Sequence, residues 1–240
     1  MIGVGTIVNV ITIIVGSILG IFFKSNLKEK YKEVMLSGVG LSTLILGLSG
    51  ALSGIFKIED GLISEQYILE IILFLVIGSI IGVWINISGR LEQFGDYIES
   101  RFSQSNNNFS KGFVTASLIF CVGAMAIMGS IEDGMNQNYT ILFSKAILDG
   151  IISMVLASTL GLGVLFSFIP VAIYQFTLTI LGSLMGNFLP YETKVLMNIV
   201  GSILIIGISF NLLELKKVRV ADMLPAIFIP IIYVFIKQYF

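Results

Sequence analysis

From Gly150 to Tyr191 the chain runs 42 residues without a charged side chain. A membrane-spanning helix needs roughly 20 apolar residues to cross a hydrocarbon core about 30 Å thick. The run is therefore too long for one crossing and fits two. Pro170, preceded by Phe166-Ser167-Phe168-Ile169, marks the expected tight turn at Ser167–Pro170. Four other uncharged stretches each fit one crossing: Met1–Phe23, Val34–Phe56, Ile71–Gly89 and Gly112–Ile131. Mean hydropathy is +0.98, and 12% of residues are charged, against about 25% in a soluble domain. That deficit fits a lipid-embedded chain, because a charge at the bilayer centre costs at least about 2.5–3.5 kcal/mol.

The predicted fold is all-α, a polytopic transmembrane bundle forming one domain over residues 1–240. Eight segments are expected, at 2–23, 34–56, 67–88, 112–131, 141–165, 168–188, 193–213 and 222–240. All are read as helices, since isolated strands cannot satisfy their backbone in lipid. Pro225 and Pro230 interrupt the last segment, and seven spans result if it stops short of a full crossing. Residues 89–111 form the longest polar connector. Within it Leu91, Phe94, Ile98 and Phe102 fall at helical spacing, as in an amphipathic helix lying on the membrane interface.

Lys and Arg fix an expected orientation. With Met1 outside and eight crossings, the inner connectors hold Lys24, Lys28, Lys30, Lys32, Arg90, Arg101, Lys111, Lys216, Lys217 and Arg219. The outer ones hold Lys57, Lys145, Lys194 and Lys237. Positive charge favours the cytoplasmic side, so a bacterial cell membrane with the amino terminus outside is expected. No Lys or Arg precedes the first apolar run, unlike a cleavable signal peptide.

Chemistry is narrowed by what is missing. The chain has no histidine and one cysteine, Cys121. That removes His/Cys metal sites and Ser–His or Cys–His catalysis within one chain. A net charge of −1 gives no support for nucleic-acid binding, and no phosphate-binding Gly-x-x-x-x-Gly-Lys loop is present. No enzyme activity, cofactor or metal is expected. The expected partners are the lipid bilayer and a small solute or ion, and a homo-oligomer is compatible with the chain.

Gly16-Ser17-Ile18-Leu19-Gly20, Gly78-Ser79-Ile80-Ile81-Gly82 and Gly182-Ser183-Leu184-Met185-Gly186 share one pattern. Small residues four apart let helix backbones approach closely in lipid, so these glycines are expected to pack helices. The first and third copies extend further. Val15–Phe23 resembles Leu181–Leu189, and Val39–Ser49 resembles Val200–Ser209. Segments 1–2 thus look like segments 6–7. An offset of five crossings makes the copies face opposite ways, the inverted-topology repeat that recurs in secondary transporters.

Asn9 and Gln175 each lie seven residues before the first glycine of their motif, so the repeat superposes two amides. An amide in hydrocarbon needs a partner. The two are read as a solute or ion pathway, with Asn198 and Asn211 as further amides and Asp149 and Glu70 as the ionisable candidates. Lys145, one turn from Asp149, would neutralise it. For each amide the alternative is interhelical hydrogen bonding that only holds the bundle. Ile58-Glu59-Asp60-Gly61 recurs as Ile131-Glu132-Asp133-Gly134. Both are expected as outer acidic loops that raise local cation concentration, or as Asp-Gly turns closing helices.

Several stretches carry a family resemblance. They are Val122–Gly134, Lys145–Gly150, Leu160–Val164, Pro170–Gln175, Arg219–Ala226 and the amino-terminal Gly3–Gly20. Together they resemble the bacterial multi-pass proteins carrying the domain of unknown function 554, also called YqgA-like transport proteins. The resemblance implies an integral membrane protein with a transport role and assigns no substrate. A secondary transporter or permease leads the expectations. A channel sharing the same polar lining and a non-transporting scaffold or regulator are the alternatives.

Overall fold

The computed structural model describes residues 2–24, 28–59, 62–90, 93, 97, 109–121, 124–185 and 190–239. Helix α1 covers Val4–Lys24 and α2 covers Glu29–Ile55. A hairpin of β1 (Phe56–Glu59) and β2 (Leu62–Glu65) leads to α3, Ile68–Ile85. Next come α4 (Phe109–Cys121), α5 (Ala124–Asn136) and α6 (Thr140–Leu160). The short α7 (Leu162–Phe166) runs into α8 (Phe168–Met185), followed by α9 (Tyr191–Leu212). The last span is α10 (Val220–Met223), a 3-10 turn at Leu224–Ile227 and α11 (Ile229–Tyr239). The interfacial helix expected in 89–111 falls largely outside the described residues.

Seven stretches are long and apolar enough to cross a membrane, and α4 with α5 would make an eighth. The expected fourth span is not one straight helix, because α4 and α5 meet at 71°. The direction of helix packing bears on whether this pair crosses. Gly5 sits against Leu142, Gly16 against Gly150 and Ser153, and Gly20 against Met154 and Ala157, so α1 and α6 run parallel. Parallel helices need an even number of crossings to start on the same side. After α2 and α3, the α4–α5 pair must carry the chain back across. The same count fits α2 against α9, antiparallel from Gly40–Leu213 to Gly54–Ile199. It also fits α3 against the last span, antiparallel through Gly78–Ala226 and Gly82–Asp222.

The 42-residue run does divide into two spans, but at Gly161 rather than at Ser167–Pro170. Gly161 has φ +84° and ψ −150°, a backbone state that costs little only without a Cβ. Pro170 sits in the first turn of α8, where its missing N–H has no helical partner to lose. Ser167 N–H donates to Val164 O at 3.1 Å, so α7 and α8 make one interrupted span. The connector between the second and third helical segments forms the β1–β2 hairpin. Its register pairs Glu59 with Leu62 and leaves residues 60 and 61 between the strands.

Close backbone contact organises the bundle. A Cβ on Gly16 would overlap the carbonyl oxygen of Gly150, one on Gly20 that of Met154 and one on Gly82 that of Asp222. On Gly78 it would strike the backbone of Ala226, and on Gly182 it would come within 2.9 Å of Ile131 O. Gly134 likewise presses on Thr179 O. In lipid there is no hydrophobic drive between helices, so such packing is what joins them. Gly16, Gly20, Gly78, Gly82 and Gly182 all sit at such close approaches, and Gly186 lies outside the described residues.

These contacts predict a graded series. Gly16→Ala, Gly20→Ala and Gly82→Ala should each lower the melting midpoint in detergent by several degrees. Gly38→Ala, whose added methyl meets nothing within 4 Å, should leave it unchanged or raise it slightly, since alanine is the better helix former. Equal midpoints across the series would refute the packing assignment.

Candidate functional site

Helix α1 buries Thr6, Asn9, Ile13 and Ser17 along one face, spaced three and four residues apart. Helix α8 does the same with Val171, Gln175, Thr179 and Gly182. The two helices touch, and α5 packs against both as well as against α6. Gly3 lies against Phe176, and Ile13 shares an apolar cluster with Val171, so α1 and α8 run antiparallel. The two amides that the repeat superposes are thus carried into one junction of four helices.

Asn9 and Gln175 are both 0% exposed. No amide atom of either has a hydrogen-bond partner of normal geometry. The hydroxyls of Thr6, Ser130 on α5 and Thr179 are equally buried and unpartnered. An unsatisfied buried polar group costs about 1–3 kcal/mol, so this concentration is expensive. Each amide offers two N–H donors and an acceptor oxygen. Together with three hydroxyls they give the junction unused hydrogen-bonding capacity.

Charge borders this region in compensated form. Lys145 and Asp149 lie on α6, are 6% and 4% exposed, and form an ion pair one helical turn apart. The Lys145 ammonium sits 5.8 Å from the centre of the Phe120 ring. The Asn9 amide is directed at the Asp149 carboxylate as a hydrogen-bond donor, but outside normal hydrogen-bond geometry. The pairing expected from spacing is therefore present, and it is buried.

Asp133 departs from the expectation for it. Glu132 and Asp133 are not in an outer loop or at a closing turn, because α5 continues to Asn136. Asp133 is 0% exposed and accepts hydrogen bonds from Gly3 N–H at 2.9 Å and Gly5 N–H at 3.0 Å. The first N–H groups of a helix lack internal partners and carry partial positive charge. Asp133 thus caps α1 from 128 residues away in sequence. Nothing local announces such a contact, though a buried Asp two residues into Ile131-Glu132-Asp133-Gly134 needed some partner. Glu132 accepts from Asn136 at 2.8 Å. Glu59 ends β1 in the hairpin, and Asp60 lies outside the described residues.

Other candidates lie apart from the junction. Glu70, in the first turn of α3, accepts from the Tyr233 hydroxyl at 3.2 Å. Asn198 donates to Gly50 O at 3.3 Å, joining α9 to α2. Asn211 accepts from Val218 N–H at 2.7 Å and donates to Val218 O at 2.9 Å, clipping the turn after α9. These two amides hold the bundle. Asp222, which sequence reasoning passed over, is 1% exposed, accepts from Ser88 N–H at 2.9 Å and pairs with Arg219 at 2.7 Å.

The two kinds of amide respond oppositely to apolar replacement of similar volume. Asn9→Leu and Gln175→Met remove unsatisfied groups and should each stabilise the protein by about 1–3 kcal/mol. Asn198→Leu and Asn211→Leu break existing hydrogen bonds and should destabilise it. Thermal unfolding of the four purified variants measures this. A loss of stability in the first pair would mean that both amides are satisfied structural groups.

Comparison with known proteins bears on the whole chain. The model of the family "Protein of unknown function (DUF554)" matches residues 4–235. "Uncharacterized membrane protein YdfK" of Bacillus subtilis (strain 168) is 31% identical, with 98% of this chain and 97% of the relative aligned. "Uncharacterized protein YqgA" of Escherichia coli (strain K12) is 26% identical, with 93% of each aligned. No solved structure matches. On the apolar spans, the helical bundle and this end-to-end match, the chain is a multi-pass membrane protein that belongs to the DUF554 family.

Proposed function

We propose that this protein is a secondary transporter or permease for a small polar solute or ion, with its site at the junction of α1, α5, α6 and α8. The observation that carries the reading is the pair of fully buried amides, Asn9 and Gln175, that make no hydrogen bond of normal geometry on two touching antiparallel spans. Natural chains satisfy most buried polar groups. Departures of this kind concentrate where function requires them. The Lys145–Asp149 pair and the capped Asp133 leave little uncompensated charge beside the amides. That environment suits a solute recognised by hydrogen bonds, with the ion pair available for coupling.

Two further features support a carrier. The unpartnered atoms are sealed from solvent, so passage requires the bundle to move, which is a carrier's mode of action rather than an open pore's. An inverted repeat also fits the packing. Spans 1 and 6, 2 and 7, and 3 and 8 each meet antiparallel, as α1 with α8, α2 with α9, and α3 with the last span. Transporters of this design place the site at the repeat interface near the midplane.

Alternating access predicts that the sealed site opens. In a Cys121→Ser background, Asn9→Cys and Gln175→Cys should react slowly with a small water-soluble thiosulfonate in proteoliposomes, and purified protein in planar bilayers should give no unitary currents. Complete protection of both cysteines until the protein is denatured would refute the carrier reading, and unitary currents would replace it with a channel.

The proposed orientation, in the cell membrane with the amino terminus outside, has its own test. Lys57→Cys, on the β1–β2 hairpin, should be labelled by an impermeant thiol reagent on intact cells. Lys216→Cys should be labelled only after permeabilisation. The reverse pattern would invert the topology.

A further inference from the structure

A cavity outside the polar junction is of a different kind. It holds about 570 Å³ and is walled by the end of α3, by α4, by the start of α8 and by the last span. That volume is in the ligand-binding range of roughly 300–1,000 Å³. Ile81, Leu118, Cys121, Tyr174, Ile229 and Ile232 are among its walls. Ser117, its one hydroxyl-bearing aliphatic residue, is already committed to Phe113 O at 2.6 Å. Among the described lining residues only the Tyr174 phenol and the Cys121 thiol add polar side-chain atoms, and the rest of the wall is hydrocarbon. The cavity suits a hydrocarbon chain, and exposed Ile232 and Phe228 leave it open toward the surrounding lipid.

Its rim is basic. Ile87 and Leu224 line the cavity near the ends of α3 and of the last span. The neighbouring Ser88 N–H is held by Asp222, and Asp222 holds the Arg219 guanidinium, so a fixed, half-exposed arginine stands at this edge. The turn at residues 213–219 carries Lys216, Lys217 and Arg219 against one acid, Glu214, and both lysines are exposed. Arg90 is exposed on the α3 side. Trp84, also exposed, marks the interfacial depth at this end of α3, where amphipathic rings settle at the headgroups.

An apolar slot open to lipid, with a cluster of cations where it meets the interface, is complementary to one class of molecule. The geometry points to a binding site for an anionic phospholipid, with an acyl chain in the cavity and its phosphate on Arg219, Lys216 and Lys217. Basic pockets between spans bind anionic headgroups in this way. On the proposed orientation this is a lipid of the cytoplasmic leaflet. The site stands on the fold alone and does not depend on the transport reading.

The test uses the full chain, purified in a nonionic detergent and supplied with phosphatidylglycerol, phosphatidylcholine or glycerol 3-phosphate. Melting midpoints and lipid adducts in native mass spectra are read together. Phosphatidylglycerol should raise the midpoint by several degrees and survive as one retained adduct. Phosphatidylcholine should give less than half that shift, and glycerol 3-phosphate none. Ile229→Trp, which fills the slot, should abolish the phosphatidylglycerol shift. Lys216→Gln/Lys217→Gln, on the exposed rim, should reduce it to the phosphatidylcholine level and keeps the test decisive if the tryptophan variant fails to fold. Equal shifts from the two lipids, a full shift from glycerol 3-phosphate, or an undiminished phosphatidylglycerol shift in the rim variant would overturn the proposal.

Discussion

Close backbone contact between helices governs the rest of this bundle. Lipid chains are as apolar as leucine, so burying leucine against leucine gains little over leaving it in lipid. What remains is van der Waals packing, which falls off steeply with distance and needs small residues at the crossing. Glycines supply that at α1–α6, at α5–α8 and at α3 with the last span. Each crossing also sets the height of the side chains beside it. Seating Gly16 on Gly150 holds Asn9 near Asp149, and seating Gly182 on Ile131 holds Gln175 and Thr179 beside α5 with its Ser130 and Asp133. The packing motif and the polar residues seven positions before it form one unit.

The polar groups then divide sharply. Asp133, Asp222 and Asn198 each reach a backbone group in another segment, and Asn211 bonds the turn after its own helix. The fold is thus able to satisfy buried polar side chains, even over more than a hundred residues of sequence. Asn9, Gln175, Thr6, Ser130 and Thr179 make no side-chain hydrogen bond of normal geometry in the same interior. A general looseness of packing does not explain the contrast, because the apolar neighbours Ile13, Ile127 and Leu142 are essentially inaccessible. Thr193 on α9 and Asp222 Oδ2 on the last span also lack a hydrogen-bond partner, but the other such groups all lie on α1, α5 and α8, and that concentration is what the proposed solute site rests on.

Much of this was legible in the sequence because the bilayer imposes few choices. A crossing needs about 20 apolar residues, so the number of spans and the division of the 42-residue run followed from length and charge. The glycine contacts followed from spacing. The position of the Gly161 break did not, because a proline in view is the more familiar punctuation, yet Pro170 in the first turn of α8 obstructs nothing. The hairpin had a local signal that was read differently. Asp-Gly is a favoured dipeptide for two-residue hairpin loops, but within Glu132-Asp133-Gly134 it lies inside a helix. Its partner, the amino terminus of α1, decides that difference and is remote in sequence. Nor did sequence separate Asn198 and Asn211 from Asn9 and Gln175, since only the assembled neighbours show which amides are satisfied.

Interrupted spans add a last constraint. Spans four, six and eight are broken, by the 71° bend between α4 and α5, by Ser167 between α7 and α8, and by the 3-10 turn at Leu224–Ile227. Broken helices free backbone groups that lipid cannot satisfy. Here tighter local bonds take up part of the deficit, as in Ser167 N–H to Val164 O, Phe228 N–H to Pro225 O at 3.0 Å and Ile231 N–H to Phe228 O at 3.2 Å. All three interruptions lie near the lipid-facing cavity, which Cys121, Pro170 and Leu224 help to line. The continuous helices α1 and α6, by contrast, are locked together along their length by glycine. The bundle therefore couples a rigid parallel pair to three spans with built-in breaks, and the polar junction lies where the two parts meet. For the proposed carrier, relative movement would fall on the broken spans, because bending there sacrifices the fewest backbone hydrogen bonds and the least close packing.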